Sequence, residues 1–207
     1  YSRVAEKAAK HKVMVNMHES VRPTGLHRTY PNWVANEASR GNEWNAFTFG
    51  SPPAHETILP FTRLMGGPMD YTPGIFKMKN YAPQDPGRQM HSTLAKQLAL
   101  YVTMFSPLQM AADLPENYEK HLDAFQFIKD VPADWQESRY IEAEPGDYIT
   151  VARKDKNSEK WFLGAITDEN ARQTEIKLDF LSPNKKYEAV IYQDGKDADW
   201  EKNPKSY

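Results

Sequence analysis

The sequence contains no cysteine, no long apolar run and almost no excess of charge of either sign. The missing cysteines exclude a disulfide framework and a cysteine-ligated zinc site, and leave the compartment open. No stretch approaches the roughly 20 apolar residues of a membrane-spanning helix, so no membrane insertion is expected. A formal net charge of −2 lacks the basic footprint of a nucleic-acid binder or of a polybasic membrane surface. No GxGxxG or phosphate loop is present, so nucleotide binding has no support. His18-Glu19 runs on into Ser20, Val21 and Arg22, and His55-Glu56 is likewise not followed by a histidine at the required spacing, which weighs against a HExxH zinc protease. There is no internal repeat and no low-complexity tract.

What remains is an ordinary globular composition, 40% hydrophobic, 12% aromatic and 26% charged, in a chain long enough for one large or two small domains. The N-terminus shows neither a start methionine nor a signal peptide, and its first helix runs straight into a strand. The chain stops at Lys205-Ser206-Tyr207 after a segment that promises more strands. It is expected to be a fragment of a longer polypeptide.

In order, Ser2 to Lys10 reads as a short helix with Ser2 as N-cap and Val4 and Ala8 on one face. Val13 to Met17 is an apolar run of strand length. Residues 20 to 60 form a long irregular segment with helical turns near Trp33–Ser39. A second strand is expected over Ile58–Leu64, before Gly66-Gly67-Pro68, and residues 80 to 91 read as loop. Leu94, Leu98, Tyr101 and Phe105 share one helix face. Leu108–Ala112 fits a third strand, and Asp113 and Glu116 form a capping pair for a helix with Tyr118, Leu122, Phe125 and Ile128 inward. This is α/β order with parallel strands. After Trp135 the pattern changes to short strands over Tyr148–Arg153, Trp161–Thr167, Thr174–Phe180 and Tyr187–Gln193, separated by turn clusters. The expected division is residues 1–137 as an α/β part and 138–207 as an antiparallel β domain.

The stretch Lys12 to Phe47 concentrates the chemistry. Its strand delivers His18 and Glu19, and the irregular segment behind it carries Arg22, Arg28, Glu37, Arg40 and Glu43 with no helix-face spacing. Paired carboxylates can flank a glycosidic bond, and converging carboxylate oxygens suit a hard cation such as calcium. The competing reading pairs each glutamate with Arg22, Arg28 or Arg40 as loop-bracing ion pairs. Trp33, Trp44, Tyr30 and Tyr71 are candidate sugar-stacking rings, with core packing as the alternative. Arg63 and Asp70 are expected to form a buried ion pair around the Gly-Gly-Pro turn.

The runs HESVRPTGLHRTYPNWVANEASRGNEWNAF and HETILPFTRLMGGPMDYTPGIF closely resemble glycoside hydrolase family 97, and SPLQMAADLPENY, EPGDYITVARK, WFLGAITDENAR and LDFL continue the pattern. The resemblance implies the C-terminal part of a (β/α)8 TIM-type barrel over residues 1–137. A C-terminally truncated antiparallel, β-sandwich-like domain would follow over 138–207. The implied partners are an oligosaccharide substrate and the missing N-terminal part of the same polypeptide, and the implied location is the periplasm. By motif matching, Glu43 aligns with the general acid and Glu19 with the general base. Glu19, Glu37 and Glu43 align with calcium ligands, and His18 becomes a sugar-binding residue. The residue after this histidine is typically Gly in retaining α-galactosidase-like members. Glu19 there points to the inverting branch, a calcium-dependent α-glucosidase acting on malto-oligosaccharides. The alternatives are an α-galactosidase-type member of the same family and a non-catalytic carbohydrate-binding module.

Overall fold

The computed structural model describes residues 1–47, 50–80 and 87–207; of the loop expected over 80–91, residues 81–86 lie outside the described residues. Helix α1 spans Ser2–Lys10, with Lys7 and Lys10 in its last turn, where cations complement the helix dipole. Its N-cap is Tyr1, with no side-chain cap bond, so Ser2 does not play the expected capping part. The buried residue is Ala5, which packs with Met17 and Trp33. The chain then enters strand β1, Val15–Met17.

Helix α2 (Leu26–Thr29) leads into β2, Trp33–Asn36. Helical turns were expected here. Instead, an aromatic and a β-branched residue join β1 in parallel, with Val15 opposite Trp33, Asn16 opposite Ala35 and Met17 opposite Asn36. The parallel array continues sideways: Asn36 bridges to Met69, and the Met69 N–H reaches the Phe105 carbonyl at 3.3 Å.

The strand expected over Ile58–Leu64 is helical. Helix α3 covers Pro53–Ile58, and 3-10 turns follow over Leu59–Phe61 and Arg63–Gly66. Pro53 and Pro60 supply helical φ angles at the starts of these elements and lack the N–H a ladder needs. Helix α4 is Leu94–Thr103, N-capped by the Thr93 hydroxyl. Leu108–Ala112 joins no ladder; its Met110 carbonyl accepts the Tyr101 hydroxyl at 2.7 Å. The next helix is broken into α5 (Pro115–Tyr118) and α6 (Leu122–Asp130), neither with a side-chain cap. Asp113 instead accepts the backbone N–H groups of Phe76 and Lys77 at 2.6 and 2.7 Å, which tethers two loops.

Strands β3 (Trp135–Glu144), β4 (Tyr148–Asp155) and β5 (Trp161–Thr167) form one antiparallel sheet in the order β3-β4-β5. Thr174–Phe180 and Tyr187–Gln193 form no strand, and among the described residues no second sheet completes a sandwich. Their apolar side chains are used differently: Phe180 is buried beside Trp161, and the Tyr192 hydroxyl donates to the Asp123 carbonyl at 2.9 Å.

The sheet docks on α4. A Cβ on Gly164 would fall 2.8 Å from Val102 Cβ, so glycine permits the close approach. Arg153 Nε donates to the Val102 carbonyl at 2.6 Å. Lys96 on α4 donates to the Thr167 carbonyl of β5 and pairs with Glu56 of α3, each at 2.9 Å. Tyr71 donates to the other Glu56 oxygen at 2.8 Å. Removing one member of a buried pair leaves the other charge without compensation. Lys96→Met is therefore expected to cost about 3–5 kcal/mol in denaturant unfolding, with much of the loss recovered in Lys96→Met/Glu56→Gln. A single variant as stable as wild type would rule out this tie.

Candidate functional site

Parallel neighbours put their C-terminal ends side by side. Beyond β1 come His18 and Glu19, beyond β2 comes Glu37, and beyond the Met69 bridge comes Asp70. The lateral hydrogen bonds continue past the strands, with Glu37 N–H to the Met17 carbonyl at 2.9 Å and Asp70 N–H to the Asn36 carbonyl at 3.3 Å. The ends of parallel strands are where α/β folds place their chemistry.

Glu43 reaches the same place from the 3-10 turn Asn42–Ala46. That turn is anchored by Asn42, whose N–H donates to the Tyr71 carbonyl at 2.8 Å. The Asn42 amide donates to Thr72 O at 3.1 Å and to Gln97 Oε1 at 2.8 Å. Gln97, fully buried on α4, also accepts from Gly74 and Ile75 N–H groups. Sequence patterning marks Gln97 only as a polar residue in an apolar helix; the fold gives it a part in holding the turn that carries Glu43.

Ligand atoms of His18, Glu37 and Glu43 lie within 4.8 Å of one another. Glu37 is buried at 3% exposure and Glu43 half-buried. Glu19 is exposed and outside this group; its backbone N–H donates to Glu37 Oε2 at 3.0 Å. Glu19 also has φ +52°, a left-handed conformation that costs a non-glycine residue about 1–2 kcal/mol. Such strain commonly gathers at functional sites. Burial and the adjacent Glu37 charge push the Glu43 carboxyl above its ordinary range, with a hydrogen bond to Glu37 and the Glu19 charge adding to the effect and His18 opposing it. For His18, burial alone would lower the pKa. The hydrogen bond to Asp70 and the charges of Asp70, Glu37 and Glu43 outweigh it and raise the pKa.

Two sequence expectations give way here. Among the described residues, no ion pair joins Glu19, Glu37 or Glu43 to Arg22, Arg28 or Arg40, and all three arginines are exposed. Nor do Arg63 and Asp70 pair. Buried Arg63 donates to the carbonyls of Glu37, Gly67, Asn36 and Pro68 and to the Asn36 amide oxygen, at 2.8–3.1 Å. Burial lowers its pKa to about 10, so it remains a cation at neutral pH. Of the candidate stacking rings, Trp33 and Tyr71 are core, Tyr30 donates to Glu6 at 2.9 Å, and half-buried Trp44 carries Arg40 5.1 Å from its ring centre. His55 bonds the Arg40 carbonyl at 2.9 Å and lies outside the His18 group. A cavity of about 650 Å³ lies at the start of β1, among Val13, Met14 and Tyr30, and includes none of the clustered carboxylates.

The donor set suits a hard cation. Glu37 Oε1 is buried with no hydrogen-bond partner, and a buried carboxylate oxygen left unpaired is costly unless a donor or a cation meets it.

The site and fold define a carboxylate cluster at the ends of parallel strands, the arrangement of many carbohydrate-cleaving enzymes. The family model "Glycoside hydrolase 97" matches residues 1–39, and "Glycosyl-hydrolase 97 C-terminal, oligomerisation" matches residues 134–207. The chain belongs to glycoside hydrolase family 97. It is 36% identical over 203 residues to a retaining α-galactosidase of Bacteroides thetaiotaomicron, covering 95% of this chain and 30% of that protein. A probable retaining α-galactosidase of Streptomyces bingchenggensis is 33% identical over 178 residues, 86% of this chain and 26% of that protein. A family 97 enzyme from a Pseudoalteromonas species, solved as a variant in complex with panose, superposes with a TM-score of 0.91 and 50% identity, covering 100% of this chain and 32% of that one. The chain thus spans under a third of each relative's length.

These relatives overturn the inverting α-glucosidase assignment, which rested on Glu19 standing where glycine is typical. Two curated relatives are described as retaining α-galactosidases or probable ones. Glu19 itself sits on a left-handed backbone, a conformation that glycine adopts without cost.

The raised Glu43 pKa sets a pH dependence. A carboxyl whose folded pKa is raised contributes stability below its unfolded pKa and loses it as the pH climbs through the folded one. In chelator, the melting temperature of wild type should therefore fall relative to that of Glu43→Gln as the pH rises from about 4 to about 7. Parallel profiles would show that Glu43 is not perturbed.

Proposed function

We propose that the chain carries the acid side of the active centre of an α-galactosidase-type glycoside hydrolase of family 97. The carrying observation is Glu43, a half-buried carboxyl beside buried Glu37 with its pKa raised by burial and by that neighbour. A shift in that direction is the one a proton donor needs. The parallel segments ending at His18, Glu37 and Asp70 are read as part of a (β/α)8 barrel, whose chemistry gathers at that end.

In this reading Glu43 protonates the departing glycosidic oxygen. In the retaining course implied by the relatives' names, a second carboxylate about 5–5.5 Å away bonds to the anomeric carbon as the glycosidic bond breaks, and Glu43 then takes a proton from the water that displaces that carboxylate. That second carboxylate is assigned to the part of the relatives' length that this chain does not span. His18 would bind a sugar hydroxyl. Glu37 and Glu43, with Glu19 alongside, would hold calcium. Bound there, calcium would offset carboxylate repulsion and favour the ionised form of each ligand. Glu43 would then serve both roles by giving one oxygen to the metal and using the other for the proton. Buried Arg63 fixes the Glu37 backbone through its carbonyl.

The test uses the full-length protein with p-nitrophenyl α-galactoside, p-nitrophenyl α-glucoside and panose. Faster turnover of the galactoside is expected; activity on glucosides alone would overturn the galactoside assignment. Glu43→Gln should cut turnover of an unactivated substrate about 10²–10⁴-fold and that of an activated aryl glycoside much less, and equal losses would remove the proton-donor role. Strong chelation should lower activity and calcium restore it; indifference to chelators would sink the metal reading. Sugar binding without hydrolysis would leave a carbohydrate-binding module.

A further inference from the structure

Asp70 is fully buried, follows the Gly66-Gly67-Pro68 turn, and has no part in the reaction outlined above. Its carboxyl collects three donors. Asn16 Nδ2 lies at 2.7 Å and His18 Nε2 at 3.0 Å from Oδ2, and the Thr72 N–H lies at 3.2 Å from Oδ1. The Asn16 amide thus reaches the same oxygen as the histidine, so two side chains converge on Oδ2. A carboxylate only accepts, so the His18 nitrogen facing it carries the hydrogen.

The other ring nitrogen points the opposite way. His18 Nδ1 lies 4.0 Å from Glu37 Oε2, in the group shared with Glu43. A neutral imidazole has one donor and one acceptor nitrogen, so a proton fixed on Nε2 makes Nδ1 an acceptor. The groups around it are carboxylates, which also accept. The complement to such a wall is a ligand rich in hydroxyl donors.

We propose that Asp70 is a positioning residue that holds His18 as its Nε2–H tautomer, leaving Nδ1 to accept a hydrogen bond from a sugar hydroxyl. This rests on the glycosidase reading and deepens it by assigning the direction of one substrate hydrogen bond. It also separates two kinds of buried polar group near the site. Arg63 mainly holds backbone carbonyls, whereas Asp70 meets the site through the His18 ring.

The experiment uses full-length protein with ¹⁵N-labelled histidine, observed at a pH where the ring is neutral. In wild type, His18 should show a protonated Nε2 and a bare Nδ1. Asp70→Asn presents an amide whose N–H₂ can face the ring, and should move the hydrogen to Nδ1. In turnover, Asp70→Asn should lower kcat/KM about 10–100-fold, the range typical of groups that orient a functional histidine. Its effect should vanish in a His18→Ala background, because the two residues act as one unit. A protonated Nδ1 in wild type, or fully additive losses in the double variant, would overturn the proposal. The wild-type spectrum decides the tautomer even if Asp70→Asn does not fold. A wild-type protein without glycosidase activity would overturn the functional reading instead, and the ring signals would then decide the Asp70–His18 pairing alone.

Discussion

The site depends on the sideways parallel register that runs from Met17 through Asn36 to Met69. Each of these residues is the last apolar or amide position before a group that matters: His18 and Glu19, Glu37, and Asp70. Because the segments are parallel and adjacent, their ends coincide, and side chains separated by 52 positions in sequence meet at 3.0 Å. A one-residue slip of β2 would turn Glu37 to the opposite face. Arg63 guards against that slip by holding the Asn36 and Glu37 carbonyls and tying them to the Gly67-Pro68 turn. The guanidinium is a clamp made of neutral acceptors, and its charge stays close to a cluster short of cations.

Electrostatic crowding is the second constraint. Glu37 is buried, Glu43 half-buried, and both sit near Glu19 and His18, with Arg22, Arg28 and Arg40 exposed. Such a cluster can relieve its repulsion by protonating one member, by charging a neighbouring histidine, or by binding a cation. The directions for Glu43 and His18 express the first two routes, and the unpartnered Glu37 oxygen leaves space for the third.

Much of the framework was legible in sequence where local signals and burial agreed. Helices α1 and α4 and strands β4 and β5 follow from periodicity, and β5 occupies Trp161–Thr167 as read. An apolar run alone does not make a strand in this chain. Ile58–Leu64 contains a proline that a ladder disfavours, and in Leu108–Ala112 the Leu108 and Met110 carbonyls accept from the Ser106 and Tyr101 side chains. The reverse holds at β2, where a polar, glycine-rich neighbourhood masks four residues whose pairing partner lies elsewhere in the chain. At the site, carboxylate chemistry was visible from residue types alone. The partner of His18 was not, because proximity in sequence favoured Arg63 for Asp70, and only the parallel register shows that His18 is nearer.

The stereochemical branch is a different kind of inference, and its failure has a physical cause. Retention or inversion is decided by the distance between two carboxylates across the sugar, a property of a pair and not of a residue. Glu19 is exposed, lies outside the tight group, and sits on a left-handed backbone that glycine adopts without cost. Its identity can therefore change without disturbing the strands that carry Glu37 and Glu43. Asp70 is the contrasting case. It is buried and accepts from His18, Asn16 and the Thr72 N–H, so a change there reaches His18. Within this scaffold, residues tied to the register carry more information about chemistry than residues at its exposed rim.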